Sequence, residues 1–124
     1  MSKKRILVID DEPDMLYALK MQFEASHYEV LTAQDGQEGL NLARKEMPDL
    51  IILDLMLPKL DGYKVCRMLK FDKKYNAIPI MMFTARAQQS DEQLGYEVGA
   101  DAYMAKPFEP SKLMEKIKGL LKES

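Results

Sequence analysis

The sequence lacks most of the features that mark specialised classes of protein. Its 124 residues include no tryptophan, one histidine and one cysteine, so neither an intramolecular disulfide nor a cysteine-ligated metal cluster can form. No apolar run approaches the length of a membrane span, and the short basic start is too brief for a signal peptide. Eighteen basic and 20 acidic residues give a formal charge of −2, which offers no general attraction to nucleic acid or to an anionic membrane. We therefore expect a cytoplasmic chain that binds neither directly.

What is present is the composition of an ordinary globular domain. The apolar fraction is 47% and the charged fraction 31%, which is typical of a folded protein and unlike a disordered one. No internal repeat, low-complexity tract or flexible linker divides the chain. The sequence therefore predicts a single domain over residues 1–124.

Short apolar runs alternate with amphipathic segments along the chain. Runs of consecutive apolar residues predict strands covered on both faces, and more mixed segments suit the edges of a sheet. The predicted strands are Ile6–Ile9, Tyr28–Ala33, Leu50–Leu53, Ile80–Phe83 and Ala102–Ala105. Five β-α units predict an α/β fold, and right-handed crossovers around the three most apolar strands give a doubly wound parallel sheet of order 2-1-3-4-5. This is the flavodoxin-like (βα)5 arrangement.

Apolar residues at helical spacing predict the segments between the strands. Their stripes are Met15, Leu16, Leu19 and Phe23; Leu40, Ala43 and Met47; Val65, Cys66 and Leu69; and Leu113, Ile117, Leu120 and Leu121. Pro13 and Pro110 suit a first helical turn, and Asp35 and Asp61 can cap helix starts. We expect Cys66 to be a small buried hydrophobic residue.

Polar residues follow the apolar strands at their carboxyl ends, where ligands bind in sheets of this order. Asp10, Asp11 and Asp54 would crowd one crevice, and at about 5 Å and an effective dielectric near 20 each pair repels by roughly 3 kcal/mol. A hard divalent cation relieves that repulsion, and oxygen-only ligands favour Mg²⁺. With Lys106 and Thr84 nearby, the set suits phosphoryl chemistry, with Asp54 as nucleophile and Asp10 and Asp11 holding the metal.

These residues occur within motifs that resemble those of a known family. The motifs are Asp10-Asp11-Glu12-Pro13, Asp54-Leu55-Met56-Leu57-Pro58, Asp61-Gly62, Thr84-Ala85-Arg86, Gly99-Ala100-Asp101 and Lys106-Pro107-Phe108. In this order and context, from about Arg5 to Leu121, the chain resembles the receiver domain of bacterial two-component response regulators. It is similar to the chemotaxis response regulator and to the receivers of winged-helix regulators.

The resemblance implies a phosphoacceptor and its metal site. Asp54 would accept a phosphoryl group from a sensor histidine kinase or phosphotransfer protein, or from acetyl phosphate. Asp11, Asp54 and the backbone carbonyl of Met56 would ligate Mg²⁺, and Asp10 would act mainly through a metal-bound water. Lys106 would bind a phosphoryl oxygen. Such a chain phosphorylates and dephosphorylates itself but is not a turnover enzyme.

The resemblance also implies a switch and an output surface. Thr84 would move its hydroxyl onto the phosphoryl group and Tyr103 would change rotamer, while the thinly apolar segment 87–98 is the element expected to move. A downstream effector or output domain would bind the last two helices and the fifth strand. Leu94 and Ala102 replace a basic and an acidic residue that are usual in the dimer face of the winged-helix regulators, so we expect a monomer or a weak, phosphorylation-dependent dimer.

Other functions on the same topology make different demands on the residues. A flavin or nucleotide site needs a phosphate-cradling loop after strand one, where this chain has acidic residues and a proline. An aspartyl phosphatase that uses Mg²⁺ generally has a second acid two residues beyond its nucleophile, where this chain has Met56. A phosphorylation-independent pseudo-receiver typically loses the acceptor or the lysine, and both remain here.

Met56 and Arg86 together predict that the phosphorylated form lasts minutes or longer.

Overall fold

A computed structural model describes residues 3–55, 57–84, 99–105 and 109–122 of the chain. Its strands are β1 (Arg5–Ile9), β2 (Glu29–Ala33), β3 (Leu50–Asp54), β4 (Ile80–Thr84) and β5 (Ala102–Ala105). Its helices are α1 (Pro13–Ala25), α2 (Gly36–Glu46), α3 (Gly62–Lys70) and α4 (Pro110–Leu120). The predicted helical stripe of each of these four helices lies within these bounds or at their edge.

The strands form one parallel sheet of order β2-β1-β3-β4-β5, which confirms the predicted topology. Ile9 pairs with Leu53 across β1 and β3, and Thr84 pairs with Ala105 across β4 and β5. The all-buried β3 is central, and the more mixed β2 and β5 lie at the edges. This placement follows from burial, because only a central strand has both faces covered by helices.

Helices cover both faces of the sheet and create two separate cores. Alternate strand residues point to opposite faces, so Leu7, Ile9, Ile51 and Leu53 pack with α2 and α3, while Ile6, Val8, Leu50 and Ile52 pack with α1 and α4. The fold is thus the doubly wound α/β sandwich that the alternation of segments predicted. No helix within the described residues is both long and apolar enough to cross a bilayer.

Side-chain chemistry sets where the helices begin and end. Asp35 and Asp61 cap α2 and α3 by accepting the backbone N–H groups of Glu38 and Lys64, and prolines occupy the first turns of α1 and α4. The prediction that Met47 belongs to the buried stripe of α2 was wrong. Pro48 cannot extend the helix, so Met47 takes a left-handed conformation (φ 48°) after its last turn and turns its side chain outward.

Arg5 ties the amino end of β1 to its surroundings. Its guanidinium donates to the Glu46 backbone carbonyl at 2.8 Å and to Glu46 Oε1 at 2.7 Å, and its backbone N–H donates to Asp49 Oδ2 at 2.8 Å. These contacts join β1 to the end of α2 and to the turn before β3.

A second ion pair anchors the amino ends of β4 and β5. Lys70 Nζ donates to the backbone carbonyls of Asn76 and Ile78 at 2.8 and 3.0 Å and to Asp101 Oδ2 at 2.9 Å. The same carboxylate oxygen accepts the Ile80 N–H at 2.8 Å. One half-buried ammonium therefore links the end of α3, the connection to β4 and the residue before β5.

Candidate functional site

The register of the sheet brings acidic residues of two neighbouring strands to one edge. Ile9 pairs with Leu53, so continuing the register by one residue places Asp10 beside Asp54. Both carboxylates are deeply buried, with 0% of Asp10 and 5% of Asp54 exposed. Acidic side chains are almost never buried to this degree without a specific role or partner, which distinguishes the pair from ordinary surface carboxylates.

The turn after β1 orients the first of these carboxylates. The Asp10 backbone N–H donates to the Ala33 carbonyl at 3.0 Å, which extends the pairing of β1 with β2 by one residue. Asp10 Oδ1 in turn accepts the backbone N–H of Glu12 at 2.8 Å. This hydrogen bond orients the buried Asp10 side chain, whereas Asp11, between the two residues, is exposed.

Three carboxylates converge at the end of β1. One carboxylate oxygen from each of Asp10, Asp11 and Glu12 lies within 4.8 Å of the other two. Among the described residues, these three side chains form a group that could hold a metal ion. Asp54 is not a member of this group, so the three oxygens of the group all come from the end of β1. Carboxylate oxygens suit a hard divalent cation such as Mg²⁺, and an exposed side leaves room for water to complete its coordination.

The backbone that follows Asp54 is held by a close contact that requires glycine. The Leu55 N–H donates to the Phe83 carbonyl at 3.2 Å, and the Gly62 N–H donates to the Leu55 carbonyl at 3.1 Å. A Cβ on Gly62 would lie 2.3 Å from the Asp54 carbonyl oxygen, a distance that no side chain tolerates. The start of α3 therefore packs directly against the end of β3, and the glycine of the Asp61-Gly62 motif permits that approach.

The loop between β3 and α3 rests on the start of α2. The Leu60 N–H donates to the Pro58 carbonyl at 2.7 Å, and Lys59 between them has φ 68°, so this tight turn contains a strained non-glycine residue. Lys59 Nζ lies 3.5 Å from Asp35 Oδ2. The pKa of Asp35 falls below its ordinary value of 3.8, mainly because the carboxylate accepts the Glu38 backbone N–H and further because of the Lys59 ammonium.

Several residues that the sequence assigned to the site fall outside the described residues. These are Met56 and Lys106, together with Arg86, Leu94 and the segment 87–98. Thr84 ends β4, where its backbone pairs with Ala105, the last residue of β5. The structure thus places the strand ends that carry the predicted residues, and the roles given to the Thr84 hydroxyl, the Met56 carbonyl and the Lys106 ammonium stay predictions.

Tyr103 lies at the centre of the edge strand β5. It pairs with Met82, and its half-buried ring packs against the core on the side of α2 and α3. Next to this strand, between β5 and α4, runs a groove of about 560 Å³ whose lining includes Met104, Lys112, Lys116 and Leu120. The rotamer change expected of Tyr103 stays a prediction.

Sequence reasoning did not single out Glu12 as a member of the acidic group. It entered only as part of a motif, because an exposed glutamate before a proline ordinarily reads as the start of a helix. Its signal was its position two residues after Asp10, where a tight turn at a strand end brings side chains together. The turn becomes visible only with the hydrogen bond between the Glu12 N–H and Asp10 Oδ1.

Comparison with known proteins gives one consistent result. A family model described as the response regulator receiver domain matches residues 6–118. The chain is 48% identical over 121 residues to the alkaline phosphatase synthesis transcriptional regulatory protein PhoP of Bacillus subtilis, covering 98% of this chain and 50% of that protein. It is 42% identical over 120 residues to the DNA-binding dual master transcriptional regulator RpaA of Synechocystis sp., covering 97% and 50%.

Solved structures agree with the sequence comparison. A CheY-like response regulator receiver domain protein from Methanospirillum hungatei JF-1 superimposes with a TM-score of 0.91 at 34% identity, covering 98% of this chain and 95% of that one. The receiver domain of a signal transduction histidine kinase from Syntrophus aciditrophicus gives a TM-score of 0.89 at 32% identity, covering 96% and 90%.

The fold, the two buried aspartates and these matches define a signalling domain of the response regulator class. The chain belongs to the response regulator receiver domain family. These two relatives are named as transcriptional regulators, and the chain spans about half the length of each.

Proposed function

We propose that this receiver domain is a phosphorylation-activated switch whose acceptor is Asp54. The observation that carries the proposal is the burial of Asp54 at the carboxyl end of the central strand, beside Asp10, on a chain of the receiver family. An Asp54 carboxylate oxygen would attack the phosphorus of the donor, the bond from phosphorus to the donor's histidine nitrogen or acetyl oxygen would break, and an acyl phosphate would form. The donor keeps the electron pair of the broken bond.

The metal would be held by Asp10, Asp11, Asp54 and the backbone carbonyl of Met56. Bound there, Mg²⁺ offsets the negative charge that the phosphoryl oxygens bring to an acidic crevice. Asp10 is already oriented for this role by the Glu12 N–H. Lys106 would pair with a phosphoryl oxygen and supply a second positive charge, since it follows Ala105, the last residue of β5, in the sequence.

The signal would leave the site through the edge of the sheet. A phosphoryl group of charge near −2 favours the conformation in which the Thr84 hydroxyl and Lys106 reach it, and Tyr103 then fills the space vacated. The affected surface comprises β5, α4 and the segment 87–98. An effector or output domain would bind there, and the groove beside β5 offers both apolar and cationic side chains for contact.

The proposed setting is a cytoplasmic phosphorelay. A sensor histidine kinase or phosphotransfer protein would supply the phosphoryl group, and the domain itself would bind neither nucleic acid nor membrane. It would be a monomer or a weak dimer whose association depends on phosphorylation. The names of the relatives favour a transcriptional output, which we propose for any regulator that carries this domain.

Intact-protein mass spectrometry after incubation with acetyl phosphate and Mg²⁺ tests the proposal. We expect one added phosphoryl group on the wild-type chain and on Asp14→Asn, which removes an exposed carboxylate from the first turn of α1. Asp54→Asn and a sample with excess EDTA should show none. Following the adduct after donor removal measures its lifetime, for which we expect minutes or longer.

Two results would contradict the proposal. A wild-type chain that gains no phosphoryl group under any condition would be a phosphorylation-independent binding module. Continuous turnover of p-nitrophenyl phosphate that depends on Asp54 would make the chain a phosphatase instead of a switch.

A further inference from the structure

Glu12 is a charged residue at the candidate site to which the proposed phosphotransfer gives no role. Its carboxylate lies within 4.8 Å of those of Asp10 and Asp11, and it is exposed. It occupies the residue before the first turn of α1, a position at which Ser, Thr, Asp or Asn commonly caps the helix by accepting a backbone N–H. Glu12 makes no such capping hydrogen bond. A carboxylate oxygen of Glu12 instead lies beside those of Asp10 and Asp11.

The backbone of Glu12 is restrained on both sides. Its N–H donates to Asp10 Oδ1 at 2.8 Å, and the following Pro13 limits the conformations available to the residue before it. Glu12 accordingly has an extended backbone (φ −92°, ψ 110°). These restraints hold the start of its side chain at the edge of the crevice, so the nearness of its carboxylate to Asp11 follows from the turn.

The surroundings make a third charge effective. Asp10 and Asp54 are buried beside the group, and charges at the edge of a low-dielectric region interact more strongly than charges in open water. The separations are also well below the Debye length of about 8 Å at physiological ionic strength, so salt screens them incompletely.

We infer that Glu12 is a positioning residue of the proposed magnesium site: its carboxylate adds a third negative charge beside Asp10 and Asp11 and so raises the affinity for a divalent cation. The inference rests on the proposed function, because it concerns the same cation. Glu12 is not needed for the transfer itself, since Asp54 supplies the attacking oxygen.

Binding of Mn²⁺, followed by loss of the free-ion signal in electron paramagnetic resonance and by competition with Mg²⁺, tests the inference without phosphorylation. The chain has no tryptophan to report on the site by fluorescence. Removing the charge with Glu12→Gln should raise the dissociation constant about three- to tenfold. Glu12→Asp keeps the charge and should cost less. Asp14→Asn removes the same charge two residues further on and should change the constant less than about twofold.

The outcomes separate this inference from the proposed function. If the wild-type chain binds no Mn²⁺, or if Asp11→Asn binds it as tightly as the wild type, the proposed metal site itself is wrong. If Asp11→Asn abolishes binding while Glu12→Gln binds like the wild type, only the role of Glu12 is wrong. Equal losses of Mn²⁺ affinity in Glu12→Gln and Asp14→Asn would show a general effect of net charge, and this result would also overturn the role of Glu12. Circular dichroism confirms that each variant is folded.

Discussion

At the scale of single residues, burial decides which groups are available for chemistry. Cys66 lies on the inner face of α3 with no exposed surface, and this burial raises the pKa of its thiol from 9.0 to about 12. The thiolate is the reactive form of cysteine. The site carboxylates differ, because Asp11 and Glu12 reach solvent beside their buried neighbours.

Cys66 should therefore be inert in the folded chain. At about pH 8, a pKa near 12 leaves a thiolate fraction about a thousandfold below that of a thiol with pKa 9.0, so iodoacetamide should alkylate the native protein at least that much more slowly than the protein in urea. Mass spectrometry of timed samples measures both rates, and Cys66→Ala should gain no label. Comparable rates in buffer and in urea would contradict the assigned burial.

The same shift affects stability at alkaline pH. Folding raises the pKa of Cys66, so the folded state favours the protonated thiol. The resulting stabilisation is fully present below pH 9.0, the pKa of the unfolded thiol, and is lost as the pH rises toward about 12.

The sequence predicted individual residues well where one physical effect dominates. The predictions that Cys66 is buried and that Asp35 and Asp61 cap helices were correct, because apolar spacing and capping chemistry act locally. The prediction that Met47 is buried was wrong, because helical periodicity does not indicate how a helix ends before a proline. Glu12 was missed because its place in the acidic group depends on a side-chain hydrogen bond that no pattern records.

At the scale of secondary-structure elements, a glycine at the start of α2 and a glycine near the end of α4 have different surroundings. Gly36 begins α2, where a Cβ would lie 1.7 Å from the carbonyl oxygen of Leu60. Gly119 lies near the end of α4 with nothing within 4 Å of the same position. The first glycine lets the β3–α3 loop rest on α2, whereas the second serves no contact.

Substituting alanine at the two positions should change stability in opposite directions. Gly119→Ala should raise the free energy of unfolding by about 0.5–1 kcal/mol, because alanine loses less backbone entropy in a helix. Gly36→Ala should lower it by more than about 1 kcal/mol, because either α2 or the loop must move. Urea denaturation followed by circular dichroism measures both. A neutral or stabilising Gly36→Ala would mean that the loop does not depend on this contact.

Element order was the part of the fold that the sequence predicted most fully. Three apolar runs and two mixed ones determine which strands are central, and handedness then leaves one order. The contact between the β3–α3 loop and α2 could not be predicted in the same way. It depends on a non-glycine residue, Lys59, in a left-handed conformation, and a lysine carries no sequence signal for that geometry.

At the scale of the whole molecule, the described residues show ion pairs at one end of the sheet and a group of carboxylates at the other. At the amino end, the side chains of Arg5 and Lys70 each form an ion pair with a carboxylate and also donate to backbone carbonyls. At the carboxyl end, three carboxylate oxygens converge within the described residues at the end of β1. Like charges at this distance oppose folding unless a cation joins them, so stability and metal binding should be coupled.

Neutralising Asp11 should expose that coupling. Without metal, Asp11→Asn should melt at a higher temperature than the wild type, because it relieves repulsion within the acidic group. With Mg²⁺ at about ten times its dissociation constant, the wild type should gain about 1.4 kcal/mol, and the variant should gain little. The difference between the two melting temperatures should therefore shrink or change sign when Mg²⁺ is added, and EDTA should restore the original difference. Differential scanning calorimetry measures this directly, and equal responses to Mg²⁺ in both proteins would mean that the cation binds elsewhere.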